Sequence, residues 1–207
     1  MLKNATERLS TYPAVFSFLR KIIEFNFVTL KRIVRKELSL DGPGAFSGLI
    51  LDVPCGTGEF AGLFNPASYT GIDICPEYID YARKRHKRKF YCRDALRNGF
   101  SDAYFDSVLI LGLFHHIDLA SVKVMLRESA RVLKTSGKAL LIEDAPVTTR
   151  WNFIGRFLQR YDVGTNIRPA AQYEAVLKEY FNIDSYYPVR NGFWRYSVFV
   201  LSHKDKR

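Results

Sequence analysis

The stretch Leu49-Ile50-Leu51-Asp52-Val53-Pro54-Cys55-Gly56-Thr57-Gly58-Glu59-Phe60 constrains this chain more than any other. An apolar run meets an acid, then a tight loop of small residues, then the start of a helix. That order predicts a buried strand whose C-terminal end opens into a ligand crevice. Gly56 and Gly58 have no Cβ, so a ligand can lie against the backbone there. Asp52, at the strand tip, can accept hydrogen bonds from a cationic or hydroxylated group. The next glycine after Gly58 is Gly62. The spacing is therefore not the G-x-G-x-x-G of nicotinamide dehydrogenases, which makes that reading a poor third.

The same arrangement recurs down the chain. Ser68 to Ile74 reads as a second strand, with Asp73 at its end, 21 positions beyond Asp52. A nucleoside-binding α/β unit wants an acid at about that distance, to accept from both ribose hydroxyls. Pro76 suits the first turn of the helix that follows. Phe90 to Cys92 is a short third strand, and Asp94 beyond it can accept from an adenine amino group. Phe105 to Gly112 reads as a fourth strand, apolar enough to be buried on both faces. His115 and His116 follow at its mouth. Adjacent side chains on extended backbone point opposite ways, so one imidazole is expected to pack and the other to reach the cleft. A histidine there has the proton affinity to act as a general base.

The cofactor crevice resembles that of the class I S-adenosylmethionine (SAM) methyltransferases. Asp52-Val53-Pro54-Cys55-Gly56-Thr57-Gly58 is similar to the family's acid–hydrophobic–G-x-G-x-G motif, with Pro54 in place of the first glycine. Thr70-Gly71-Ile72-Asp73-Ile74-Cys75-Pro76-Glu77 resembles its second motif, and Arg93-Asp94-Ala95 its third. Phe105-Asp106 opens a strand like the one that ends, here at Leu111, beneath the transferable methyl. Glu128 to Lys138 resembles the RVLKPGG turn. The resemblance covers about residues 47 to 144 well. It implies a Rossmann-like αβα sandwich, with a seven-stranded sheet of order 3-2-1-4-5-7-6 and the last strand antiparallel. It implies that Asp52, Pro54, Cys55, Gly56, Thr57 and Gly58 hold the amino-acid end of SAM. Asp73 with Ile74 would hold the ribose, and Asp94 with Ala95 the adenine. Tyr12 would be a lid residue, and the product would be S-adenosylhomocysteine.

Residues 1 to about 40 carry Phe16, Leu19, Ile22, Ile23, Phe27, Leu30, Ile33 and Val34 at helical spacing. A helix packed over the ligand cleft is the preferred reading. The other is a basic amphipathic helix that touches lipid. Ser10 or Thr11 could cap it, with Pro13 in its first turn. A short helix is expected from Glu59 to about Phe64. The expected organisation is a helical cap at 1–46 and one SAM-binding domain at 47–207, with an acceptor-side insertion at about 145–169. That insertion holds Trp151, Tyr161 and Arg168, candidates for touching the acceptor. Arg156, Arg160 and Arg168 suit an anionic one.

Charge and cysteine content narrow the class. Lys plus Arg number 31 against 21 acids, a net charge of +10. That balance favours polyanions, either nucleic acid or an anionic membrane face. The basic run Arg83 to Lys89 is read as a solvated face. Three cysteines without metal spacing predict neither a disulfide framework nor a metal site. No apolar run is long enough to span a bilayer, and no secretory signal is seen. A cytoplasmic location is expected, with a membrane-peripheral one as its variant. The expected activity is methyl transfer from SAM to a small acceptor, amphiphilic or lipid-like. An RNA acceptor ranks lower, since the chain has neither an appended RNA module nor the Asn/Asp-Pro-Pro-aromatic signature. A non-catalytic SAM-binding sensor is a further alternative. Monomer and homodimer both stay open.

Overall fold

The computed structural model describes residues 12–149, 151–161, 164 and 166–204, apart from the side chains at 158 and 161. A seven-stranded sheet of order β3-β2-β1-β4-β5-β7-β6 runs through the molecule. Its strands are β1 (Ile50–Asp52), β2 (Tyr69–Asp73), β3 (Lys89–Cys92), β4 (Phe105–Leu111), β5 (Leu133–Asp144), β6 (Phe181–Asn191) and β7 (Trp194–His203). β1 pairs in parallel with β2 and β4, β2 with β3, and β4 with β5. β7 is antiparallel to both its neighbours. The sheet expected from the sequence is thus the sheet observed.

Helices cover both faces because side chains alternate along each strand. On one face, Leu140 and Ile142 of β5 pack with Leu30, Ile33 and Val34 of α2 (Val28–Glu37) and with Ile79 and Ala82 of α3 (Pro76–Arg85). On the other, Ala139 and Leu141 meet Val122, Met125 and Leu126 of α4 (Leu119–Val132) and Tyr173 and Leu177 of α6 (Ala170–Tyr180). The Asp118 carboxylate caps α4, accepting from the Ser121 amide at 2.7 Å. Pro13 occupies the first turn of α1 (Pro13–Ile23), and Pro76 that of α3. Ser10 and Thr11 lie outside the described residues. Asn191-Gly192 makes the β6–β7 hairpin turn, with Gly192 at φ +62°.

Two expectations are corrected. The helix expected from Glu59 is a single 3-10 turn, Ala61–Leu63. Gly58 at φ +81° bends the chain away, and Gly62 with Asn65-Pro66 discourages helix beyond it. The N-terminal helix is broken in two at Phe25, Asn26 and Phe27, whose φ angles are 50°, 54° and 58°. This left-handed turn redirects the chain between α1 and α2.

The seating of α1 is a further finding. Its polar side chains point inward and its apolar ones outward. Ser17 donates to the Glu59 carboxylate, and Lys21 Nζ lies 3.0 Å from Glu59 Oε2. Arg20 pairs with the buried Glu24. Val15, Phe18, Leu19 and Ile22, spaced to share one helix face, are exposed. Phe16 stacks inward on Tyr78 of α3, with ring centroids 5.5 Å apart, and Ile23 is half-buried.

Of the basic run, Arg83 donates to the Phe90 carbonyl and Arg88 to the Phe64 carbonyl. Lys84, Arg85, Lys87 and Lys89 are the solvated part.

Candidate functional site

Five parallel strands bring their C-terminal ends to one edge of the sheet. Asp52 ends β1 and Asp73 ends β2, with Asp94 just past β3. The loop 53–58 passes over this edge. Cys55 N donates to Ile72 O, and Gly56 N to Asp73 Oδ2 at 2.9 Å. The second Asp73 oxygen accepts from Cys75 N at 2.9 Å. A carboxylate has about four acceptor positions, so each oxygen keeps one for an incoming hydroxyl. Burial raises the Asp73 pKa, against the pull of these amide bonds.

Asp52 is more deeply set. Its Oδ2 accepts from the Tyr69 hydroxyl at 2.7 Å. Burial pushes its pKa up to about 7, opposed by the Tyr69 bond and assisted by the charge of Asp73. Tyr69 Oη reaches it because Gly71 between them has no side chain: a Cβ there would stand 2.8 Å from that oxygen.

Gly56, at φ +52°, has nothing among the described residues within 4 Å of where a Cβ would stand. The loop is open to a ligand there. Gly58 serves packing instead, since a Cβ would press on Ala82, His86 and Phe90. Pro54 enters the loop through a cis peptide with Val53. Cys55 is buried, with its thiol pKa driven well up by burial and nearby acids. The Thr57 hydroxyl donates to Glu59 at 3.3 Å. Beyond Asp73, Ile74 is 68% exposed, an apolar surface at the sheet edge. Ala95 is half-buried and Asp94 exposed, with Asp94 Oδ1 accepting from Leu96 N. An open backbone cradle, spare carboxylate acceptors and an apolar ledge fit a nucleoside with a cationic tail. A cavity of about 320 Å³ lined by Leu38, Phe46, Asp106 and Lys138 lies at the opposite end of the strands and is not this site.

Glu59 holds α1 in place, a role the sequence reading missed. It anchors α1 through Ser17 and Lys21 directly after the glycine loop. Tyr12 stands at the start of α1, 65% exposed, with its carbonyl accepting from Phe16 N.

The mouth of β4 is held by two charged side chains from distant elements. Glu143 of β5 is fully buried. Its Oε1 accepts from Leu113 N at 2.6 Å and Phe114 N at 2.7 Å. Its Oε2 lies 3.2 Å from His115 Nδ1. Arg168 donates to the carbonyls of Phe114 at 2.6 Å and Ile117 at 3.0 Å. Amides go to Glu143 and carbonyls to Arg168, so the turn between Leu111 and α4 is gripped from both sides. Arg168, expected against an anionic acceptor, therefore has its terminal nitrogens committed to this turn. Glu143 therefore faces the interior and not solvent.

His115 is buried, and His116 beside it is exposed. One imidazole packs, as expected, but not because the backbone is extended. The backbone turns here (His116 N donates to Leu113 O), which brings the two rings within 3.9 Å. His115 Nε2 lies 3.9 Å from Asp144 Oδ2. Buried Gly164 packs on the same imidazole, leaving no room for a Cβ. Trp151 is 86% exposed ahead of α5 (Phe153–Tyr161), and the Tyr161 side chain lies outside the described atoms. Among the described residues, no group of three or more His, Cys, Asp or Glu could hold a metal.

A family described as "Methyltransferase domain" matches residues 51–141. A human protein described as probable tRNA methyltransferase 9B is 31% identical over 109 residues, 52% of this chain and 23% of that protein. The chain thus spans about a quarter of that relative's length. A demethylmenaquinone methyltransferase of Thermotoga maritima is 28% identical over 166 residues, 77% of this chain and 69% of that protein. Among solved structures, a magnesium protoporphyrin IX methyltransferase from Synechocystis with bound S-adenosylhomocysteine superposes with a TM-score of 0.68. It covers 90% of this chain and 88% of its own at 19% identity, a likeness of fold.

Proposed function

We propose that this chain, whose residues 51–141 match a family described as a methyltransferase domain, is a class I SAM-dependent methyltransferase that moves the SAM methyl group to a small amphiphilic acceptor. The observation that carries the reading is the row of strand-end acids Asp52, Asp73 and Asp94 beside the open backbone at Gly56. When bound, SAM supplies a sulfonium methyl that a nucleophile takes in line, leaving S-adenosylhomocysteine. The chain's own residues bind and align. The spare lone pairs of Asp73 accept from the ribose hydroxyls, and Ile74 and Ala95 give the adenine an apolar bed. Asp94 accepts from its amino group. Asp52 and the loop 54–58 face the amino-acid end. Leu111 closes the floor where the methyl would lie. Holding donor and acceptor in line supplies much of the rate.

A base is needed only for an acceptor that arrives protonated. The His115–His116 pair at the mouth of β4 is the candidate, with Glu143 fixing His115 through Nδ1. Such a dyad holds the ring nitrogens in a defined orientation.

The apolar lid of α1 and the aromatic segment around α5 support an amphiphilic acceptor, met at an anionic membrane surface. The likeness to a demethylmenaquinone methyltransferase, a protein named for an amphiphilic acceptor, favours the same class. RNA is the second reading, favoured by the net charge of +10 and the likeness to a protein named as a tRNA methyltransferase.

The deciding experiment supplies SAM with a labelled methyl group and cell extract divided into organic-soluble, small aqueous and RNA pools. Label in the organic pool is the expected result. Label in RNA alone would replace the acceptor reading. SAM binding with no label in any pool favours a non-catalytic SAM-binding protein.

A further inference from the structure

We infer that α1 and α5 together form a docking face for an anionic lipid surface. The starting observation is the inverted seating of α1. A helix of a globular protein normally turns its apolar stripe to the core. Here the polar side chains Ser17, Arg20 and Lys21 are satisfied by Glu59 and Glu24 beneath, and Val15, Phe18, Leu19 and Ile22 face out. Phe18 is 62% exposed and Ile22 58%. Phe25 continues the row at the left-handed turn.

α5 repeats the pattern. Trp151, Phe153, Ile154 and Phe157 are exposed, whereas Gly155 is buried. The two helices are joined by the β6–β7 hairpin tip. Phe25 and Phe193 rings lie 6.2 Å apart, and Asn152 Nδ2 donates to Phe193 O at 2.7 Å. Gly155 packs on that same carbonyl. The exposed aromatics therefore belong to one surface that runs from α1 across the hairpin to α5. Contiguous apolar surface on this scale marks an interaction site.

Charge selects the occupant. Neither α1 nor α5 contains an acidic residue. Arg156 and Arg160 are exposed along one border of the α5 apolar arc, and Lys31, Arg32 and Lys36 of α2 follow α1. Glu24 is buried against Arg20. Within the two described helices, an apolar centre with a basic border complements anionic lipid. Pairing this face with a second copy would set basic borders against each other in a molecule of net charge +10. The helices have 11 and 9 residues, and no described helix is long and apolar enough to cross a membrane. They would lie in the interface plane, with aromatic side chains among the acyl chains. α1 also crosses the ligand end of the sheet, so a lipid-borne acceptor would arrive beside the cleft.

This inference deepens the amphiphilic-acceptor reading and is tested without SAM or acceptor, so either can fail alone. The whole chain would be floated with phosphatidylcholine vesicles, with and without phosphatidylglycerol. Trp151 emission would be followed in parallel. The expected result is binding at least tenfold tighter to the anionic vesicles, with a blue shift that Trp151→Phe removes. Phe18→Glu and Phe157→Glu, both at exposed positions, should each weaken binding at least tenfold and leave the melting temperature unchanged. Failure to bind anionic vesicles would overturn the inference, as would binding insensitive to both variants. A dimer in solution that both variants dissociate would give the face to a second copy instead. Binding of RNA in preference to vesicles, lost in the same variants, would give it to nucleic acid.

Discussion

His115 Nδ1 lies 3.2 Å from Glu143 Oε2, while the other oxygen of that carboxylate takes the amide protons of Leu113 and Phe114. One buried acid therefore orients the imidazole and shapes the turn that carries it. Glu143→Gln keeps an acceptor for the amides and removes the charge opposite the ring. Methyl transfer should fall about tenfold or more, with SAM affinity unchanged. Glu143→Ala should also destabilise the fold, because two buried amides lose their acceptor at roughly 1–3 kcal/mol each. Labelled-methyl turnover and urea unfolding of both variants separate the two roles. Equal turnover in Glu143→Gln and wild type would remove His115 from the mechanism.

Asp73→Asn should lower affinity for S-adenosylhomocysteine at least tenfold in titration calorimetry. The Asn oxygen can still accept one of the two amides now bound by Asp73, so the loop at Gly56 and Cys75 is disturbed less than by Asp73→Ala. Unchanged affinity in Asp73→Asn would take the ribose contact away from this residue.

Asp52 gives the fold a pH signature. Its pKa is raised in the folded chain to about 7, from an ordinary value of 3.8. The folded state therefore binds this proton more tightly than the unfolded state. The stabilisation is complete below pH 3.8 and is lost as pH rises through 7. At 1.36 kcal/mol per unit, the change is roughly 4 kcal/mol. Urea unfolding at pH 4 and pH 8 should show wild type losing stability relative to Asp52→Asn by an amount of that order. Parallel curves for the two proteins would refute the assignment.

Glu24 pins the lid to the far end of the sheet. It accepts from Arg20 and from the Tyr196 hydroxyl, and its carbonyl accepts from Asn191 Nδ2 at 2.8 Å. Glu24→Ala leaves the buried Tyr196 hydroxyl without its acceptor, at a cost of roughly 1–3 kcal/mol, and releases the partly exposed Arg20 guanidinium. Hydrogen exchange should show α1 losing protection while β4 and β5 keep theirs. Uniform loss across the sheet would mean that Glu24 supports the core as well as the lid.

The strand-end acids were legible because a buried strand, an acid and a small-residue loop follow one another in the chain itself. Asp52, Asp73 and Asp94 could all be placed that way, and the family resemblance supplied the strand order. The grip on the β4 mouth was not legible. Glu143 and Arg168 meet that turn from 30 and 54 positions away, and nothing local marks either residue for the task. The facing of α1 was hidden for a related reason. Helical spacing shows that a stripe exists, but its direction depends on Glu59, 42 positions from Ser17. The missing helix after Gly58 had a signal in Gly62 and Asn65-Pro66, which the motif's usual helical continuation overrode.

The left-handed turn at Phe25, Asn26 and Phe27 holds three consecutive residues without glycine at φ angles of 50°, 54° and 58°. Each costs roughly 1–2 kcal/mol against the right-handed alternative. If that turn relaxed, α1 and α2 would tend to run on as one rod, and α1 would leave the cleft. The lid is thus a loaded spring latched by Glu24 and Glu59. Substitutions at Asn26 should therefore shift how firmly α1 is seated, read as hydrogen exchange in α1, while the strand-end acids stay in place.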